Sequence, residues 1–320
     1  MFEPNLFPLK GKRIWVAGHR GMAGSAIARR LSLSGSEVLT IPRSELDLTD
    51  ARATRAHVHS TRPDAIVIAA AKVGGILAND TYPVDFLRDN LAIELSIIGA
   101  AHEEDVGRLL FLGSTCIYPR DAKQPLTEDS LLTGPLETTN EWYAVAKIAG
   151  IKLGQAYRRQ YGRDYISAMP TNLFGPGDNY HPDHSHMVAG LIRRIHGAKV
   201  TGKREVVMWG TGEPRREIMH VDDLADACAF LLEQYSDGQI INVGQGEDHS
   251  INDIAKAIAK AVEWEGEFKQ DLTKPDGTPR KQVNGDRLFA AGWRPKYDMH
   301  TGLANAYEWF AKHTAANIGA

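Results

Sequence analysis

The chain of 320 residues is poor in cysteine, with only Cys116 and Cys228. That excludes a disulfide framework and favours a reducing compartment. It lacks a strong excess of either charge: 37 Lys and Arg face 40 Asp and Glu, a formal net charge of −3. Net charge therefore does not select nucleic acid or another polyanion as partner, although a local basic pocket stays open. Long apolar runs are missing too. The stretch Ile66-Val67-Ile68-Ala69-Ala70-Ala71 stops at Lys72, far short of the roughly 20 residues that cross a bilayer, so no membrane segment is expected. The opening Met1-Phe2-Glu3-Pro4-Asn5-Leu6 has an acid and a proline, where a secretory leader carries basic charge and then an apolar stretch. What is present is ordinary folded-protein composition, 43% hydrophobic and 24% charged, in a chain long enough for two domains at roughly 150 residues each. A cytoplasmic enzyme is the first expectation.

The first half alternates short apolar runs with amphipathic segments. Arg13–Ala17 reads as a buried strand closed by Gly18, and Met22–Leu33 as a helix. Further strands are read at 37–41, Ala65–Ile68, Arg108–Leu112 and 165–169, with helices at about 84–103 and 142–161. Strands apolar throughout, repeatedly followed by helices, mean a parallel sheet covered on both faces, an α/β doubly wound fold. After Leu173 the texture changes. The turn-rich Phe174-Gly175-Pro176-Gly177-Asp178-Asn179-Tyr180-His181-Pro182 marks a boundary between a domain over 1–173 and a smaller mixed α/β domain over 174–320, some of whose segments return to the first. In the second half, helices are read over 221–232, with Cys228 on its apolar stripe, from Ser250 with Asp253 three residues on, and around Leu303, Tyr307 and Phe310. The stretch 274–281, with two prolines and a glycine, is expected to form no regular element.

Gly18-His19-Arg20-Gly21-Met22-Ala23-Gly24 spaces glycines by three, directly after a strand and opening a helix. That context makes it a pyrophosphate turn: glycines let the backbone approach the anion, and the helix start supplies N–H donors. After the second strand come Arg43, Asp47 and Leu48. An arginine at that strand end accommodates a ribose 2′-phosphate, whereas a carboxylate would bind the free 2′-hydroxyl. Arg43, with Arg20 as a second cation, therefore favours NADP(H) over NAD(H), and Glu45 is the residue that could oppose it.

Tyr143 and Lys147 lie four apart, on one face of a helix. A free phenol titrates near 10, and a nearby ammonium is expected to lower that value. Ser114 follows Leu112 and Gly113 at the carboxyl end of the fourth strand, the edge at which open parallel sheets bind ligands. Ser114 can hydrogen-bond a carbonyl oxygen while Tyr143 protonates it.

The glycine turn, Ser114 and Tyr143-x-x-x-Lys147 together resemble the extended short-chain dehydrogenase/reductases, Rossmann-fold enzymes whose substrates are mostly nucleotide sugars. More specific strings are similar to the members that both epimerise and reduce GDP-4-keto sugars. These are Ala69 to Ile76, Gly113-Ser114-Thr115-Cys116-Ile117-Tyr118-Pro119, Pro170-Thr171-Asn172-Leu173, Arg216 to Asp223 and the 274–281 stretch. Thr115 departs from the pattern, where a second serine is expected, but keeps a hydroxyl. The resemblance implies conversion of GDP-4-keto-6-deoxy-D-mannose to GDP-L-fucose, by inversion at carbons 3 and 5 and hydride transfer from NADPH to carbon 4. It implies Cys116 and His186 as the proton-transfer pair, Lys147 also on the nicotinamide ribose, and Pro170, Asn172, Leu173 and His186 about the nicotinamide. It further implies Arg194, Trp209, Arg216, Asp276 and Lys281 on the GDP-sugar, and a homodimer through the Tyr143 helix. Neither nucleic acid nor membrane is an expected partner. A sister enzyme of the GDP-colitose type is the alternative activity, and a non-catalytic NADP-binding regulator a more remote one. The cluster His181, Asp183, His184, His186 could suggest a metal, but a ketone already serves as electron sink and none is expected. Lys72, Asn79, His181 and His184 receive no role.

Overall fold

A computed structural model describes residues 1–315 apart from 183 and 275, with only the backbone at 76 and 77. The first half runs β1 (Arg13–Ala17), α1 (Met22–Leu33), β2 (Glu37–Leu39), α2 (Ala51–Thr61), β3 (Ala65–Ile68), α3 (Ile76–Thr81), α4 (Pro83–Glu103), β4 (Arg108–Leu112), α5 (Glu141–Tyr161) and β5 (Asp164–Pro170). There follow β6 (Asn172–Phe174), α6 (Met187–Val200), β7 (Glu205–Trp209), β8 (Arg215–Arg216), β9 (Ile218–His220), α7 (Val221–Gln234) and β10 (Ile241–Val243). The chain closes with β11 (His249–Ser250), α8 (Ile251–Val262), β12 (Glu267–Asp271), β13 (Arg280–Lys281), α9 (Asp286–Ala290) and α10 (Met299–His313).

The central sheet is six-stranded, in the order β10-β5-β4-β3-β1-β2, and every pairing is parallel. Successive strand residues alternate between two cores. Ile14, Val16, Ala65, Val67, Leu110 and Leu112 pack with residues of α1 and α7 on one face. Trp15, Ala17, Ile66, Ile68, Leu109 and Phe111 pack with residues of α2, α4 and α5 on the other. Burial on both faces is why these strands read as unbroken apolar runs. The doubly wound α/β architecture is thus the observed one. Two of its parts, α7 and β10, come from beyond residue 174.

Strand β2 stops at Leu39, two residues short of the expected 37–41. As an edge strand it pairs only with Arg13–Trp15 of β1, and Pro42 has no N–H with which to extend the ladder. A third core, with Phe174, Leu191, Ile192, Ile254, Ile258, Leu303 and Phe310, is gathered by α6, α8 and α10. Helix α8 starts where its cap is written: Ser250 Oγ accepts from Asp253 N at 3.0 Å, a bond worth about 0.5–2 kcal/mol. Cys228 is fully buried on α7. The 274–281 stretch is not wholly irregular, since Arg280 and Lys281 pair in parallel with Arg215 and Arg216. Its Pro275 lies outside the described residues.

Sequence order within the sheet reverses between β1 and β3. At such a switch point the loops leaving the two strands diverge and open a crevice. The glycine turn leaves β1 there and Ala69–Gly75 leaves β3, so the fold delivers both to the same edge.

Candidate active site

The glycine turn is built by steric necessity. Gly18 has φ +91°, and a Cβ on it would lie 2.5 Å from Ala70 N, against the chain leaving β3. A Cβ on Gly24 would lie 2.2 Å from Gly18 O. Gly21 N donates to Gly18 O at 3.0 Å and closes the turn. Gly21 caps α1 without a side-chain bond, so the first-turn N–H groups around Met22 are directed to an external acceptor. This cradle fits a dinucleotide diphosphate. His19 sits beside it, its imidazole pushed down by burial and then by Arg20. Arg20 and Arg43 are both exposed. Asp47 accepts from Thr49 N at 3.0 Å and Thr49 Oγ1 at 2.9 Å, which holds its carboxyl below the usual range. Leu48 packs against the core behind it.

At the ends of β4 and β5 the chemistry-bearing groups converge. Gly113 N donates to Ala168 O at 2.9 Å, and a Cβ on Gly113 would lie 2.4 Å from Met169 Sδ, so the strand end admits no side chain there. Ser114 then caps a 3-10 turn over Thr115–Ile117, its Oγ accepting from Cys116 N at 3.2 Å. Tyr143 stands in the first turn of α5, near enough to the Ser114 hydroxyl for that group to draw its phenol down. One serine therefore neighbours the phenol and binds the backbone of the thiol residue.

The expected lowering of Tyr143 by Lys147 does not occur in this state. Burial pushes the phenol up, the negative charges of Cys116 and Glu94 add to this, and only the nearby Ser114 hydroxyl opposes it. The physical reason is where the ammonium goes. Lys147 Nζ donates to Leu112 O at 3.0 Å, lies 3.3 Å from Glu94 Oε1, and stands 5.9 Å from the Tyr143 ring centre. Its charge is spent on a buried carboxylate.

Cys116 is half-buried, and its Sγ accepts from Asn140 Nδ2 and from Lys281 Nζ, each at 3.4 Å. His186 caps α6 at its N-terminus, and its low-dielectric surroundings push the imidazole below its ordinary value. Its neighbour Ser185 packs toward α3, which rests on the turn that carries Asn140: a Cβ on Gly75 would lie 3.3 Å from Ser185 O. Lys72 and Asn79 hold that connection. Lys72 Nζ binds Asp85 and Asp89 of α4 at 2.7 and 3.1 Å, while Asn79 Nδ2 donates to Gly74 O and Gly75 O. His181 and His184 stack on each other with ring centres 4.7 Å apart. Among the described residues no group of three His, Cys, Asp or Glu is placed to hold a metal ion. Asp183 lies outside the described residues.

Across the cleft, Asn172 Nδ2 donates to Glu217 O at 2.8 Å, tying β6, with Pro170 and Leu173 around it, to β9. Arg194 Nη1 donates to Val207 O at 3.1 Å, and Arg216 Nη1 to Thr278 O at 2.6 Å. Desolvation pushes both guanidiniums down. Trp209 is 69% exposed, with Lys274 Nζ 5.6 Å from its ring centre, so an indole face is offered to solvent. Asp276 accepts from Thr211 N and Oγ1 at 2.9 and 2.7 Å and anchors its loop. Lys281, expected on the GDP-sugar, has its ammonium 3.4 Å from the Cys116 sulfur.

Two residues of this site carry no mark in the motifs. Glu94 falls on the buried stripe of α4 with Ile97, Ile98 and Ala101, so a carboxylate at an apolar position was the available signal. Asn140 lies three residues before Tyr143, but nothing local announces its contact with Cys116.

The sequence model of the NAD dependent epimerase/dehydratase family matches residues 14–244. The chain is 52% identical to GDP-L-fucose synthase 1 of Arabidopsis thaliana, over 95% of this chain and 94% of that one. It is 38% identical to the GDP-L-colitose synthase of Yersinia pseudotuberculosis, over 93% and 97%. The solved GDP-mannoheptose C4 reductase of Campylobacter jejuni with NADP bound is 30% identical, with a TM-score of 0.86 over 94% of this chain and 98% of that one.

Proposed function

The chain belongs to the NAD dependent epimerase/dehydratase family, and within it we propose that it performs the GDP-L-fucose synthase reaction. It converts GDP-4-keto-6-deoxy-D-mannose to GDP-L-fucose by 3,5-epimerisation and NADPH-dependent 4-reduction. The observation that carries this reading is the shared serine: Ser114 neighbours the Tyr143 phenol and, at 3.2 Å, binds the backbone of Cys116. A plain reductase needs the first contact only. A thiol fixed beside the carbonyl site adds a base for the neighbouring carbons.

The chemistry follows from the ketone. It acidifies the hydrogens on carbons 3 and 5, because the anion formed is an enolate. Cys116 removes a proton from one face, and the C–H electron pair moves toward the carbonyl oxygen. Ser114 and Tyr143 meet that oxygen as preorganised donors, a contribution often about 2.7–4 kcal/mol per donor. His186 returns a proton on the opposite face, and its lowered pKa makes its cation a stronger acid. Bound NADPH supplies the hydride for carbon 4. Tyr143 gives its proton to the carbonyl oxygen; its raised pKa keeps the phenol protonated until then. The glycine turn with His19 and Met22 would hold the dinucleotide diphosphate, Arg43 and Arg20 the 2′-phosphate, with Asp47 and Leu48 beside them. Lys147 would hold the nicotinamide ribose, and Pro170, Asn172 and Leu173 would line the nicotinamide pocket. Arg194, Arg216, Trp209 and the Asp276 loop would take the GDP. We assign residues 1–173 mainly to the cofactor and 174–320 mainly to the sugar nucleotide.

We also propose a homodimer through α4 and α5, where Leu95, Trp142 and Val145 are exposed together with 57%, 43% and 39% of their surfaces open. A cytoplasmic setting, which keeps the Cys116 thiol reduced, fits the chemistry. The deciding experiment gives purified protein NADPH and the keto-deoxymannose nucleotide, following absorbance and product stereochemistry. Turnover to GDP-L-fucose is expected. No turnover there, with turnover of the 3-deoxy analogue, would assign the colitose-type reaction instead.

A further inference from the structure

We infer that Lys281 and Asn140 are positioning residues for Cys116, holding the anionic form of its sulfur in the cleft, and that Lys281 is not a ligand of the substrate diphosphate. This rests on the reading of Cys116 as the base. Two N–H donors converge on Sγ at 3.4 Å, one of them an ammonium. A neutral thiol is a weak acceptor that gives such donors little reason to converge, whereas a thiolate is matched by both. The third fixed point is the backbone, where Cys116 N is tied to Ser114 Oγ at 3.2 Å. The sulfur is thus located relative to the carbonyl-binding serine.

Lys281 is held there by a built support. Strands β13 and β8 pair in register, Arg280 opposite Arg215 and Lys281 opposite Arg216. Alternation along the strands sends Arg280 and Arg215 to one face, where both bind Asp248, whose side chain is only 5% exposed. Lys281 and Arg216 are thereby directed to the opposite face, toward the cleft. Backbone bonds from Glu217 N to Lys281 O at 3.1 Å and from Arg215 N to Pro279 O at 2.8 Å fix the register further. A compact ammonium suits a single sulfur, while the planar guanidiniums of Arg194 and Arg216 suit phosphate. The two kinds of cation are divided accordingly.

The first arm of the test uses the whole chain without substrate. The only other cysteine, Cys228, is fully buried, so iodoacetamide alkylation reports on Cys116. Lys281→Met is expected to slow alkylation at pH 7 about tenfold, because the thiolate is the nucleophile. It should slow solvent-deuterium exchange at carbons 3 and 5 of the keto sugar by a similar factor, with KM for the GDP-sugar nearly unchanged. Lys281→Arg should restore part of both rates, and Asn140→Ala should give a smaller loss of each. Unchanged alkylation in a folded Lys281→Met protein, or a tenfold rise in KM with exchange intact, overturns the inference. Should Lys281→Met fail to fold, the Lys281→Arg and Asn140→Ala rates decide alone, and native alkylation in both overturns it. The underlying reading fails separately: a Cys116→Ala enzyme that still exchanges would remove Cys116 as the base, whatever alkylation shows.

Discussion

Lys147 Nζ stands 3.3 Å from Glu94 Oε1, and each of these side chains is only 2% exposed. The ammonium also lies 4.5 Å from the Phe111 ring centre, so the pair is enclosed by apolar surface. Burial pushes the Glu94 carboxyl from 4.5 up to about 7, more than the pull of Lys147 can reverse. The folded protein therefore keeps a proton that the unfolded chain has already lost. Stability from this group is fully present below about 4.5 and declines as pH rises toward 7. A Glu94→Gln protein lacks this slope. Denaturant unfolding at pH 4.5 and pH 7 should show the variant gaining on the native protein by on the order of a few kcal/mol at the higher pH. A difference independent of pH would mean that Glu94 titrates normally.

Removing the phenol separates the two halves of the reaction. Tyr143→Phe deletes the proton donor for the carbonyl oxygen but leaves Ser114 and Cys116 with their 3.2 Å contact. Reduction is expected to fall by about 10²–10⁴, the usual scale of general acid catalysis. Deuterium uptake at carbons 3 and 5 should continue, since Ser114 still meets the enolate oxygen, and should fall by less than reduction does. Cys116→Ser should show the reverse, with exchange lost. Parallel loss of both activities in the Tyr143 variant would dissolve this division of labour.

Arg43 is exposed beyond the end of β2, and the proposed reading sets it on the 2′-phosphate. A charge-assisted hydrogen bond is worth about 1.5–3 kcal/mol, so Arg43→Ala should raise Kd for NADPH about tenfold or more. NADH, which has no phosphate there, should bind the variant as it binds the native chain. Fluorescence titration with both nucleotides checks this, and equal losses for the two would take Arg43 off the phosphate.

How much of this could be read from the residues alone depended on whether the signal was local. Strands β1, β3 and β4 are apolar on both faces and stand out at once. Helix α2 does not, since only Thr54 and Val58 are buried along it and its polarity resembles a loop. Helix α6 follows a His- and Pro-rich turn that masks its start. Ser114, Tyr143 and Lys147 were legible because a strand end and one helical turn set their spacing. The Glu94–Lys147 pair and the Asn140 and Lys281 contacts with Cys116 form across elements far apart in sequence, Cys116 and Lys281 being 165 positions apart. A basic residue in a loop shows its charge but not its partner, so nothing local to Lys281 announces its contact with Cys116.

Gly150 offers a test of how tightly the Glu94 pocket is built. It lies on α5, where alanine in place of glycine ordinarily stabilises a helix by about 0.8–1.0 kcal/mol. Here a Cβ would lie 2.6 Å from Phe111 Cζ and 2.7 Å from Glu94 Oε2. Neither atom can retreat easily, because Phe111 is a buried strand residue and Glu94 faces Lys147. Overpacking of this kind costs about 1–3 kcal/mol, so Gly150→Ala should come out net destabilising and lower reductase activity through the displaced Lys147. Gly197 on α6 is the control, since a Cβ there meets nothing within 4 Å. Gly197→Ala should therefore be stabilising or neutral. Thermal melts of the two variants should move in opposite directions; if Gly150→Ala also stabilises, the pocket behind Lys147 has slack that this packing does not show.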